Sequence, residues 1–216
     1  MSATDDRRQT VMGRALLMVE SFRESDGLTL TELANHTGLP RSSSHRMLVQ
    51  LVEVGWIRRS GTTYHLGPKL AELGSLAQTH DRVHRAAQAS MYRLHRRSGA
   101  VVHLAVLDGE ELLYLDKIGG RWAATLRTRV GQRRPIHETA EGAALAAKRD
   151  GYADSVRERV HVCGMGERIH CLAAAFDAGH SQIAALSLTS PDGRMAKGAG
   201  RELRLVADMV ASRLAV

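Results

Sequence analysis

The stretch from Leu28 to Leu66, LTLTELANHTGLPRSSSHRMLVQLVEVGWIRRSGTTYHL, constrains the fold of this chain more than any other. Thr29-Leu30-Thr31-Glu32 has the form of a capping box, with Thr29 as cap and Glu32 three residues on, so a helix opens there. Leu33 and Ala34 are expected to face its core, and Gly38 to supply a positive-φ turn. Pro40 suits the first position of a following helix and Gly55 its end, while Met47, Leu48, Leu51 and Val52 give that helix an apolar face. Trp56-Ile57-Arg58-Arg59, a Ser60-Gly61-Thr62 turn and Thr63-Tyr64-His65-Leu66 then read as a basic hairpin. Short helix, turn, longer helix and hairpin is the order of a winged helix-turn-helix, which lays one helix in the DNA major groove with the hairpin beside it.

In the longer helix, Arg41, Ser42, Ser43, Ser44, His45 and Arg46 precede the apolar face. The N-terminal part of such a helix reaches base edges, and its free backbone N–H groups favour phosphate. Arg41 or Arg46 can pair bidentately with guanine, and Ser42 and Ser43 can touch bases or phosphates. Arg58, Arg59 and Thr62 on the hairpin are placed for backbone or minor-groove contact. The candidate DNA-binding residues are therefore Arg41, Ser42, Ser43, His45, Arg46, Arg58, Arg59 and Thr62. The alternative is a winged helix used for protein contacts alone, with its arginines a solvated face. Ser44 is spaced to turn toward the core, where an apolar residue would pack better.

Upstream, Val11, Ala15, Leu16, Val19 and Phe22 recur at helical spacing, behind a polar start, MSATDDRRQT, that is unlike a signal peptide. No apolar run approaches the length of a membrane span, so a cytoplasmic protein is expected. Gly67-Pro68 is read as the end of a first domain, residues 1–68. Leu70, Leu73, Leu76 and Ala77 mark a linker helix over 69–80, and residues 81–216 form a second, mixed domain. That domain opens with a helix over Asp81 to Arg97, with Val83, Ala86, Ala87, Met91 and Leu94 inward. Next come a hairpin of Val101 to Leu107 and Leu112 to Ile118, a strand from Ala123 to Val130 and a helix from Ala140 to Arg149. Strands from Ile169 to Phe176 and Gln182 to Thr189 and a helix from Leu203 to Leu214 close the chain. The class is α+β, with a mainly antiparallel sheet flanked by helices.

The formal charge of +7 suggests nucleic acid, but its location does not single out the reader. Residues 1–78 hold nine Lys/Arg against eight Asp/Glu, and residues 79–216 hold 21 against 15. Two cysteines, Cys163 and Cys171, exclude a disulfide framework. With no phosphate-binding glycine loop, nucleophile elbow or paired metal-ligand motif, an enzyme is not expected, nor is a cofactor or a metal. Asp116, His137 and Glu138 are scattered single residues rather than an acid–base set.

The segments LTLTELANHTGLPRSSSHRMLVQLVEVGWIRR and YHLGPKLAELG resemble the N-terminal half of the IclR family of bacterial transcriptional regulators. GEELLYLDKI, RVGQRRPIHETAEGAALAA, GYA, IHCLAAAFD and AALSLTSP resemble its effector-binding domain in the same order, so the likeness covers nearly the whole chain. It implies a homodimer or tetramer on palindromic operator DNA, a GAF-like second domain and a small organic effector. Carried over, the effector-binding candidates are Ala123, Leu126, Ala140, Glu141, Gly142, Ile169, Cys171, Ser187 and Thr189. Taken alone, Ala123, Leu126 and Ile169 read more readily as core. Ser187 and Thr189 alternate with Leu186 and Leu188, which turns both hydroxyls to one face.

Two departures stand out. Glu141 replaces a small or apolar residue and Ala143 a Lys or Arg, which disfavours an anionic ligand. Only Lys148, Arg149 and Asp150 lie between Ala147 and Gly151, where the family has a substantial helical segment, so the second domain is read as shortened. One alternative is therefore a second domain that serves only dimerisation or partner contact. Another is a redox or metal sensor built from His161, Cys163, His170 and Cys171.

Overall fold

A computed structural model of the chain describes residues 10–152, 156–162, 168–190 and 192–215, and divides into two compact units between Ala77 and Gln78. In the first unit, helix α1 (Val11–Glu20) is followed by a two-residue strand β1 (Leu28–Thr29), helix α2 (Leu30–Thr37) and helix α3 (Arg41–Glu53). Strands β2 (Ile57–Ser60) and β3 (Thr63–Leu66) form the hairpin, and helix α4 (Pro68–His80) leaves the unit. The capping box at α2 is complete: Thr29 Oγ1 accepts from the Glu32 amide at 3.4 Å, and Glu32 Oε2 accepts from the Thr29 amide at 2.7 Å. Gly38 ends α2 at φ 66, a left-handed conformation that costs other residues a Cβ clash. Helix α3 begins one residue after the expected Pro40, which stands as its N-cap.

Sequence reading missed β1, because two residues carry no periodicity. It pairs antiparallel with β3, Leu28 opposite Tyr64, so the sheet runs β1-β3-β2. Met18, Phe22, Leu28, Leu33, Leu48, Leu51, Ile57 and Tyr64 form the core of the unit. Of the residues expected inward, Leu33, Leu48 and Leu51 are buried, Ala34 and Met47 are half-buried, and Val52 is exposed. A helix packed on one side buries about 100° of its circumference, and Val52 falls outside that stripe. Helix α4 buries none of its residues, and Leu73 and Leu76 remain exposed.

The second unit is a six-stranded antiparallel sheet, ordered β6-β5-β4-β9-β8-β7, with helices on both faces. Its elements are α5 (Arg82–Ser98), β4 (Val101–Asp108), β5 (Glu111–Ile118), α6 (Gly120–Thr125), β6 (Arg133–Pro135), α7 (Ala140–Arg149), β7 (Arg157–Val162), β8 (Arg168–Asp177), β9 (Ile183–Ser190) and α8 (Ala199–Leu214). Period two sorts the side chains of the sheet. Val102, Leu104, Val106, Leu172, Ala174, Phe176, Leu186 and Leu188 meet Val83, Ala87, Met91 and Leu94 of α5 and Leu203, Ala207 and Val210 of α8. Ala105, Tyr114, Cys171, Ala173, Ala175 and Ala185 face the other way and pack with Ala140, Ala144 and Leu145 of α7. Each fully buried Leu or Met is worth roughly 1.5–3 kcal/mol, so the α5/α8 side holds most of the apolar stabilisation.

The expected strand from Ala123 to Val130 is absent. Ala123 lies on α6, and Leu126 and Thr128 lie in the irregular segment after it. Their carbonyls accept from Lys117 Nζ at 2.9 and 2.6 Å, which diverts them from any strand ladder. The sheet edge is filled by β6, which pairs with β5 and was too short to read from the sequence. A bulge in β5 opposite Leu104 and Ala105 turns Leu115 and Asp116 both toward α5, leaving Lys117 with Tyr114 on the α7 face.

Candidate functional site

In the first unit, the eight candidate DNA-binding residues lie on α3 and the hairpin. Arg41, Ser42, His45, Arg46, Arg58, Arg59 and Thr62 are exposed and Ser43 is half-buried. Ser44, between them, is fully buried with its hydroxyl 3.4 Å from the Leu39 carbonyl, as its spacing requires. Leu48 and Leu51 anchor the opposite side of α3, which fixes the outward direction of Arg46.

The basic groups are not equally available. Arg41 donates to Thr31 Oγ1 at 2.6 Å, which ties the start of α3 to the first turn of α2. Arg59 donates Nε to the Gly61 carbonyl at 2.8 Å and lies 5.7 Å over the Tyr64 ring, so it braces the hairpin turn. Thr31 and Tyr64, which hold two of these arginines, were not singled out from the sequence.

In the second unit, Ala140, Glu141 and Gly142 form the first turn of α7, and all three are buried. Cys171 on β8 and Ser187 and Thr189 on β9 are buried on the sheet face beneath that helix, and Ile169 is half-buried on the same face. Thr189 pairs with Cys171 in register, and Ser187 with His103. Ala123 and Leu126 are half-buried and sit on a helix and a loop. Gly142 has a packing constraint, since a Cβ there would lie 2.0 Å from the Ile136 carbonyl oxygen. Its amide is spent on the Thr139 hydroxyl, 2.9 Å away, which caps α7.

Glu141 is the centre of a buried polar group. Its Oε1 accepts from Ser187 Oγ at 2.6 Å and lies 3.9 Å from His103 Nδ1. Ser187 Oγ is also 3.4 Å from His103 Nδ1, and His103 Nε2 is 2.9 Å from Thr128 Oγ1. Burial lowers the His103 pKa to about 4; Glu141 opposes this shift and Lys117 adds to it. The imidazole is therefore neutral at physiological pH. Burial, with Glu141 second, pushes the Tyr114 hydroxyl well above the usual phenol range. Sequence reasoning missed His103, Tyr114, Lys117 and Thr128. The signal for His103 was a lone polar residue in the apolar run Val101 to Leu107.

His170 and Cys171 are neighbours on β8, so they point to opposite faces and cannot chelate one ion. His170 bonds Glu158 Oε1 at 2.6 Å instead. Cys163 and the side chain of His161 lie outside the described residues. Among the described residues, no group of three or more His, Cys, Asp or Glu side chains is gathered to hold a metal.

Two family models match the chain, the IclR helix-turn-helix domain over residues 12–61 and the bacterial transcriptional regulator IclR C-terminal domain over residues 75–168. The chain is 36% identical over 137 residues to the HTH-type transcriptional regulator XynR of Escherichia coli, covering 62% of this chain and 54% of that protein. It is 28% identical over 162 residues to KdgR of Dickeya chrysanthemi, covering 70% and 53%. The chain thus spans about half the length of the curated relatives it matches. Among solved structures, an IclR homolog from Microbacterium hydrocarbonoxydans complexed with 4-hydroxybenzoate superposes with a TM-score of 0.77 at 22% identity, over 95% of this chain and 99% of that one. The Thermotoga maritima IclR gives 0.65 at 19% identity, over 95% and 98%. Both units, each with its own matching model, place this chain in the IclR family.

Proposed function

We propose that this chain is a DNA-binding transcriptional regulator that reads operator DNA with the start of α3 and the β2–β3 wing, under control of a small organic effector held between α7 and the sheet. The observation that carries this reading is the exposed row Arg41, Ser42, His45 and Arg46 on a helix whose other side is anchored in the core, with Arg58 exposed on the adjoining hairpin. An arginine on a core-anchored helix can hold a bidentate geometry on guanine. Relatives named as transcriptional regulators, and a neighbour complexed with 4-hydroxybenzoate, support the two halves of the proposal.

We place the protein in the cytoplasm, where bacterial DNA is. Separately, no described helix is long and apolar enough to cross a membrane. A homodimer or tetramer suits the reading, because Val11, Met12 and Leu16 on α1 and Leu73 and Leu76 on α4 are exposed apolar groups in the single chain. The domain bounds 1–68, 69–80 and 81–216 remain our division of labour among reader, linker and sensor.

Fluorescence anisotropy with duplexes from the gene's own upstream region tests the DNA reading. Salt-sensitive, sequence-dependent binding is expected, and Arg46→Ala should weaken it by ~1–3 kcal/mol with relaxed specificity at one position. Binding that is indifferent to sequence, or untouched by Arg46→Ala, would sink the proposal.

A further inference from the structure

Acids in the first turn of a helix are normally solvated, where they complement the helix dipole. Glu141 occupies such a position in α7, yet its side chain runs inward and is 5% exposed. A buried carboxylate is ordinarily paired with a cation. Among the described residues, the basic side chain within ion-pair distance of Glu141 is His103. That imidazole is neutral because burial penalises its charged form.

Lys117 stands opposite His103 across the β4–β5 pair, but its ammonium is turned to the carbonyls of Leu126 and Thr128. Among the described side chains, the anion is therefore met by a single hydroxyl, that of Ser187. Ser187 has one proton to give. While Glu141 takes it at 2.6 Å, the Ser187 oxygen can only accept from His103 Nδ1, 3.4 Å away, and His103 Nε2 then accepts from the Thr128 hydroxyl. These hydrogen bonds leave the carboxylate without a cation.

Resting on the effector-binding reading above, we propose that this site takes a ligand presenting an N–H donor end, an amine or an amide, to Glu141, and refuses one presenting a carboxylate. The donor meets Oε1 beside or in place of the Ser187 hydroxyl. A ligand ammonium also supplies the cation that the buried carboxylate lacks. A ligand carboxylate would instead set two like charges side by side where little water screens them. The Thr128 hydroxyl on His103 Nε2 and the Lys117 ammonium on the 126–128 carbonyls hold this segment to the α7 face, so a bound ligand is expected to disturb both contacts.

Thermal unfolding of the full chain with matched triplets tests the ligand class. One triplet is 4-hydroxybenzoate, 4-hydroxybenzamide and 4-hydroxybenzylamine, and another is butanoate, butanamide and butylamine. The amine or amide of at least one triplet is expected to raise the melting temperature, with an apparent affinity at least ~10-fold above that of its carboxylate. Glu141→Gln should abolish the preference for the amine, whereas Ser187→Ala, which leaves the carboxylate in place, should keep it.

A carboxylate that binds better than its amine and amide overturns the ligand class and leaves the effector-binding reading standing. If no member of any triplet shifts the transition, the ligand class falls and the effector reading falls with it. The wild-type comparison decides the class even where Glu141→Gln does not fold.

Discussion

His84 Nε2 and Asp116 Oδ2 lie 3.0 Å apart between α5 and β5, with only 9% and 16% of the two side chains exposed. The β5 bulge makes this pairing, since a regular strand would turn Asp116 toward α7. Asp116 Oδ1 also accepts from the Lys117 amide at 2.7 Å, and the Leu115 carbonyl accepts from Gln78 Nε2 at 2.9 Å. Three successive residues of one strand thus hold the end of α4, the start of α5 and, through Lys117 Nζ, the 126–128 segment. Asp116→Ala strands a buried imidazole nitrogen and should cost ~1–3 kcal/mol in urea unfolding. In a double-mutant cycle with His84→Ala, the two losses should be strongly non-additive.

His103 gives acid sensitivity with a defined sign. Its pKa is 6.5 when solvated and about 4 in the fold, with burial the main cause and Glu141 and Lys117 the charged groups facing it. Between those values the unfolded chain binds a proton that the folded chain refuses. The contribution is therefore whole above pH 6.5 and is lost as the pH falls toward 4, at up to ~1.4 kcal/mol per pH unit. Urea midpoints for the wild type and His103→Gln should diverge across that window, the variant showing the shallower acid loss. Parallel curves would show that His103 does not titrate in this way.

Gly142→Ala probes the close approach of α7 to the segment before it. The added methyl meets the Ile136 carbonyl oxygen at 2.0 Å, and that oxygen belongs to the backbone, so the helix start has to move. A loss of ~1–3 kcal/mol is expected, the usual cost of overpacking, together with weaker effector binding because Glu141 is the preceding residue. The affinity of the first unit for DNA half-sites should be little changed.

On the wing, Arg58 and Arg59 should separate experimentally. Arg59 is committed to the Gly61 carbonyl and the Tyr64 ring, whereas Arg58 is exposed on the same strand. Arg58→Ala should lower the slope of log affinity against log salt by about one counterion while leaving the melting temperature unchanged. Arg59→Ala should instead lower the stability of the hairpin and change the salt slope less.

Glu32 adds a small effect at an exposed position. The Thr29 amide and hydroxyl hold its carboxyl below the usual carboxylate range, so the capping box is intact above that range and opens as the pH falls through the folded value. Thr29→Ala should cost ~1 kcal/mol at neutral pH, measured by chemical denaturation.

The sequence alone determined the parts of this protein whose rules are local. Capping chemistry fixed the start of α2, Gly38 and Gly55 fixed turns, and apolar spacing picked out Leu48 and Leu51 of α3 and Val83, Ala87, Met91 and Leu94 of α5 as buried, though it also turned Val52 inward, which is exposed. Period two in Leu186-Ser187-Leu188-Thr189 likewise assigns both hydroxyls to one sheet face, because alternation is a property of the strand itself. What the tertiary structure decided were contacts between residues far apart in the chain. The pairing of Glu141 with Ser187 spans 46 positions and that of His103 with Ser187 spans 84, so no window of sequence contains either. The two-residue β1 and the three-residue β6 exist only because a neighbouring strand offers them hydrogen bonds. The segment from Ala123 to Val130 is not a strand: its first three residues end α6, and one ammonium, brought round by the bulge in β5, takes the carbonyls of Leu126 and Thr128.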